Sequence, residues 1–107
     1  MPYAPLLTDA EIEAGLVDRQ AWRRESDSLV RTVECPSFRA AIDLVDAVAD
    51  ASEAADHHPD IEIRWRRVTF RLTTKASDGI TFRDLEMAAT IDDLVSGGTA
   101  GLESPGS

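Results

Sequence analysis

The chain has 107 residues, a formal net charge of −9, 43% hydrophobic residues and one cysteine, Cys35. That length fits one domain with a modest core, and the acidity argues against direct binding to nucleic-acid phosphates. A lone cysteine excludes an intrachain disulfide and a thiolate metal cluster, and no apolar run approaches the ~20 residues of a membrane span.

Met1-Pro2-Tyr3-Ala4-Pro5 lacks the basic and apolar regions of a secretory signal, so a cytoplasmic protein is expected. The first helix is announced by its cap. Thr8 and Glu11 form a capping box, Leu7 and Ile12 flank it, and the helix is predicted from Asp9 to about Arg19. Trp22 to Glu25 and Leu29 to Val33 read as short strands around the turn formers Ser26-Asp27-Ser28. Leu29, Arg31 and Val33 then share one face, an imperfect alternation.

Ser37 is the predicted N-cap of a second helix reaching about Ala55, with Phe38, Ala41, Ile42, Val45 and Val48 as its apolar stripe. Pro59 stops any continuation. Ile61, Ile63 and Trp65 alternate in odd parity, whereas Val68, Phe70 and Leu72 alternate in even parity. Two strands joined by a tight turn, or one strand with a bulge, would reconcile them. Arg64, Arg66, Arg67 and Arg71 read as the solvated side of these strands, with an acidic partner surface as the alternative. After the loop Ala76-Ser77-Asp78-Gly79, Thr81 caps a third helix carrying Leu85, Ala88, Ile91 and Val95. Small and polar residues from Ser96 onward predict a flexible tail at 96–107 behind a domain at 1–95. The order α-β-β-α-β-β-α predicts an α+β fold, a four-stranded antiparallel sheet with three helices on one face.

Chemistry concentrates in Glu53-Ala54-Ala55-Asp56-His57-His58-Pro59, which holds both histidines of the chain. Imidazoles titrate near neutrality and can give or take a proton. In an extended pair the two rings diverge, so that one can face a pocket. The competing reading is a solvated loop or a cation at a helix C-terminus. A metal site of two histidines with Glu53 or Asp56 is poorly arranged, because adjacent histidines do not readily share one ion.

Glu53, His57, His58, Pro59, Trp65 and then Gly79-Ile80-Thr81-Phe82-Arg83-Asp84 resemble the signature of the pterin-4a-carbinolamine dehydratases, and the resemblance covers all but the tail. It implies loss of water from a 4a-hydroxytetrahydropterin to give a quinonoid dihydropterin, in tetrahydrobiopterin recycling, with the pterin as substrate and no cofactor or metal. It also implies that His57 transfers protons, His58 assists, and Glu53 and Asp84 orient the site. Pro59 and Trp65 would contact the substrate, and a homodimer or homotetramer would form. Asp84 equally fits a helix-start role, and Trp65 a core strand position.

One departure stands at Lys75, where the family usually offers a third histidine. A free lysine side chain, with a pKa near ~10.4, is a poor base and a sluggish acid at neutrality, though burial can change that. An exposed lysine without a role is the alternative. Reduced catalysis is therefore one expectation. A protein-binding or assembly factor of the same fold, or a site repurposed for another heterocycle, are the others.

Overall fold

Each helix begins where a side chain can cap it. Thr8 Oγ1 accepts from Glu11 N (3.1 Å) while the Glu11 carboxylate accepts from Thr8 N (2.8 Å), and this box opens α1 (Asp9–Leu16). Ser37 Oγ accepts from Ala40 N (3.0 Å) at the start of α2 (Phe38–Ala55). Thr81 Oγ1 accepts from Arg83 N (3.2 Å) while Asp84 Oδ2 accepts from Thr81 N (2.9 Å), ahead of α3 (Phe82–Gly97). Each such cap contributes roughly 1 kcal/mol by satisfying otherwise orphaned N–H groups.

The computed structural model describes residues 4–97. Ser96 and Gly97 continue α3, and the rest of the predicted tail lies outside the described residues. Strands β1 (Arg23–Glu25), β2 (Ser28–Glu34), β3 (Asp60–Arg64) and β4 (Arg67–Leu72) form one antiparallel sheet in the order β1-β2-β4-β3. The fold is the predicted α-β-β-α-β-β-α arrangement, with the helices packed against the sheet.

Both hairpins close through two-residue turns, Ser26-Asp27 and Trp65-Arg66, with Ser26 and Trp65 in the left-handed region at φ 57° and 56°. The second turn resolves the parity change between β3 and β4. Ile61 pairs with Phe70 and Ile63 with Val68, so both apolar sets face the same side. Ser28 belongs to the strand rather than the turn.

Leu29, Val33, Val68, Phe70 and Leu72 bury against Ala41, Leu44 and Val48 of α2 and Met87, Ala88, Ile91 and Val95 of α3. Full burial of a Leu or Phe side chain contributes about 1.5–3 kcal/mol. The buried stripe of α2 therefore centres on Leu44, with Ile42 and Val45 at its margin. Phe38, predicted within the stripe, is 53% exposed because the buried line of α2 runs through Ala40, Ala41, Leu44 and Val48 and leaves Phe38 to one side of it. Helix α1 stops at Leu16, short of the predicted Arg19, and passes into tight turns (Val17 N to Ala14 O, Arg19 N to Leu16 O). Those turns carry Trp22 into the core. Gly15 permits the close crossing of α1 and α3, since a Cβ there would stand 2.5 Å from a Leu85 methyl carbon.

Arg31 explains the imperfect alternation of β2. It shares the helix-covered face with Leu29 and Val33 and forms an ion pair with Asp92 of α3. Asp92 also accepts from Trp22 Nε1 (2.8 Å) and Arg19 (3.1 Å), tying three segments together.

Candidate active site

The C-terminus of α2, the residues following β4 and the N-terminus of α3 converge at one end of the sheet. Asp56 ends α2 in the left-handed conformation (φ 53°), and its N–H returns to Glu53 O and Ser52 O. His57 N then bonds Ser52 O (3.1 Å), a Schellman-type reversal that folds the chain back beneath the helix. His57 is consequently buried, at 8% exposure, whereas the neighbouring His58 side chain is 53% exposed.

Each ring meets a carboxylate. His57 Nε2 lies 2.6 Å from Asp84 Oδ1, and His58 Nε2 lies 2.6 Å from Glu53 Oε2. Asp84 is fully buried, and its second oxygen accepts from Thr74 Oγ1 (2.8 Å) and Thr81 N (2.9 Å). Because the Thr74 hydroxyl hydrogen goes to Asp84, the Thr81 hydroxyl must donate to Thr74 (2.8 Å). Asp84 thus has a dual place: it completes the cap of α3 and it grips His57.

This network fixes a tautomer. A carboxylate can only accept, so Nε2 of His57 carries the hydrogen and a neutral ring presents its lone pair at Nδ1. Nδ1 makes no hydrogen bond among the described residues. His57 and His58 line a hollow of about 300 Å³ with Asp56, Thr73, Thr74, Lys75, Ala76 and Arg83. A second hollow of about 260 Å³ shares His57 and Arg83 and is bounded by Ala55, Glu86, Met87 and Thr90.

Lys75 stands at the rim, 79% exposed, with its ammonium 4.0 Å from Asp60. Arg83 donates through Nη2 to Ala55 O (3.1 Å) and Asp56 O (2.8 Å), holding the end of α2. Among the described residues, no group of three His, Cys, Asp or Glu side chains is arranged to hold a metal ion, and no helix is long and apolar enough to cross a membrane.

The structure therefore brings Glu53, His57, His58, Lys75 and Asp84 together, with Pro59 half-buried between His58 and β3. It does not bring Trp65 to them. That side chain is 69% exposed at the far turn, with Arg66 stacked 4.6 Å from its ring centroid. At about 3.3 Å per residue, β3 separates it from the site end by roughly 16 Å. Thr74 and Arg83 are additions that the sequence reading passed over. Their partners lie 10 and 27 or more residues away in the chain, although Arg83 sits inside the Thr81–Asp84 cap where a reach toward the preceding helix is possible.

A solved transcriptional coactivator/pterin dehydratase from Brucella melitensis matches with a TM-score of 0.80 and 25% identity, over 83% of this chain and 97% of that one. A second solved structure, of a pterin dehydratase-like protein that is a RuBisCO assembly factor in the alpha-carboxysome, matches with a TM-score of 0.59 and 26% identity over 69% and 88%. The fold is thus of the pterin dehydratase-like class.

The sequence narrows this further. The family model described as Pterin 4 alpha carbinolamine dehydratase matches residues 5–94. A candidate pterin-4-alpha-carbinolamine dehydratase of Nocardia farcinica is 53% identical over 83% of this chain and 94% of its own length. One from Roseiflexus castenholzii is 48% identical over 86% and 99%. The chain belongs to the pterin-4-alpha-carbinolamine dehydratase family.

Proposed function

We propose that the protein dehydrates a 4a-hydroxytetrahydropterin to a quinonoid dihydropterin, the recycling step for tetrahydrobiopterin. The observation that carries this reading is the buried His57–Asp84 pair, its Nδ1 unbonded among the described residues, in a histidine that lines a hollow. In the reaction the C4a–O bond breaks, a proton joins the departing hydroxyl to release water, and N5 gives up its proton as the C4a–N5 double bond forms. His57 is the principal proton-transfer group. His58, oriented by Glu53, assists. Positioned acid–base groups of this kind contribute about 10²–10⁴ in rate.

Lys75 replaces the third imidazole usual in the family and remains at the exposed rim, lacking the burial on which an acid role for lysine depends. The rate is therefore reduced relative to a three-histidine site. The test is the dehydration of chemically generated 4a-carbinolamine, followed above its spontaneous rate. The wild-type protein accelerates it, and Lys75→His accelerates it further. Absence of acceleration, together with absence of pterin binding by calorimetry, contradicts the reading.

That outcome would favour a second role, as an assembly or stabilising factor. The similarity to a RuBisCO assembly factor and the lysine at the third position support this alternative. On either reading the protein self-associates as a dimer or tetramer, consistent with its small domain and open strand edges. A monomeric mass in sedimentation at micromolar concentration would overturn that.

A further inference from the structure

The third-histidine position carries a lysine, and the charges around it suggest a use. Lys75 and Arg83 both line the larger hollow, in a chain whose net charge is −9. The nearby carboxylates are mostly engaged. Glu53 is held by His58, Asp84 is buried in its own network, and Glu86 faces the adjoining hollow beyond Arg83. Asp60 approaches Lys75 only to 4.0 Å, and Asp56 lines the hollow itself.

The backbone beneath Lys75 is pinned while its ammonium is not. Thr74 N bonds Gly79 O (2.8 Å), Asp78 N bonds Lys75 O (3.1 Å), and Ser77 Oγ donates to Ala4 O. The Lys75–Asp60 pair has exposures of 79% and 64%, and pairs so exposed contribute about 0–1 kcal/mol. A better-placed anion would displace Asp60 readily. Arg83 is pre-oriented, because both of its hydrogen bonds use Nη2, leaving Nε and Nη1 without one among the described residues.

We infer that the site takes a pterin whose side chain bears an anionic group, phosphate or carboxylate, held by Lys75 and Arg83. This rests on the dehydratase reading and deepens it. Two cationic donors, one rigid and one able to swing, form charge-assisted hydrogen bonds with such a group. The Asp56 carboxylate on the same wall suits the N–H edge of the aminopyrimidinone ring.

The experiment compares three 4a-carbinolamines that differ only in the side chain: neutral, carboxylated and phosphorylated. Wild-type protein should show kcat/KM about tenfold higher for one or both anionic forms, mainly through KM, as expected for a charge-assisted contact in a wet site. Raising the salt should shrink the advantage. Lys75→Ala should bring the ratio of anionic to neutral kcat/KM within about twofold of unity, while Lys75→Arg preserves it. Whichever anion shows the larger advantage identifies its source.

Equal kcat/KM for all three substrates, or a preference that survives Lys75→Ala, would overturn the inference. Calorimetry with the stable aromatic pterins bearing the same side chains separates the two claims. Lys75-dependent preference for the anionic pterin without any catalysis would uphold the inference and sink the dehydratase reading. Catalysis without any preference would do the reverse.

Discussion

Two carboxylates on α3, two turns apart, do opposite things. Asp92 gathers Arg19, Trp22 Nε1 and Arg31, donors whose protonation does not change near neutrality, and locks the turns after α1, strand β2 and α3 together. Asp84 gathers Thr74, the Thr81 N–H and His57, and one of those partners is an imidazole at the edge of a hollow. The chemistry of the acceptor is the same. Under the proposed function, what separates scaffold from site is whether a partner can exchange its proton and reach substrate.

Substitutions at the two positions should therefore dissociate rate from stability. Asp84→Asn should lower kcat by about 10²–10⁴, because an amide cannot hold His57 in its tautomer as the carboxylate does. Its stability cost should be smaller, about 1–3 kcal/mol from a mismatched buried network. Stopped-flow kinetics and denaturant unfolding on one preparation would check both. Asp92→Asn should lose a comparable amount, about 1.5–3 kcal/mol, because Arg31 is left poorly paired, but keep kcat nearly intact. A rate loss at Asp92 matching that at Asp84 would break the comparison.

The exposed dyad ranks lower. Glu53→Gln should reduce kcat by roughly tenfold or less, since His58 is solvated and less strictly held than His57. Trp65→Gly should alter rate less than twofold and stability by under about 1 kcal/mol, as relief of a left-handed backbone offsets a lost exposed cation–π contact. A large rate loss there would reinstate Trp65 as a wall of the pterin site.

The smallest effect concerns the sheet surface. The Glu25 carboxyl is held below the usual carboxylate range chiefly by its hydrogen bond from Arg23, with Arg71 adding a lesser pull. A carboxyl lowered in the fold stabilises above the unfolded carboxyl's range, and that contribution disappears as pH falls through the lower folded value. Glu25→Gln should thus match the wild type in acid and trail it slightly at neutral pH in thermal unfolding.

Much of the fold was legible in the sequence because its signals are local. The caps at Thr8, Ser37 and Thr81 and the parity change between Ile63 and Val68 each involve residues within a few positions of one another. The paired histidines and Glu53 were legible for the same reason. Phe38 stands outside the buried stripe and Leu44 within it because apolar spacing tells which residues share a helix face, not which of two overlapping faces meets the sheet. The pairing of Asp84 with His57, the Thr74 bridge and the grip of Arg83 on α2 depend on elements meeting at a distance. No local pattern encodes those meetings.

The most direct test sets the wild-type protein beside His57→Ala, each shown to be folded, and follows water loss from 4a-hydroxytetrahydropterin. If the buried imidazole moves the proton, the wild type outpaces the spontaneous reaction and the variant does not. Equal acceleration by the two proteins would contradict the account at its root.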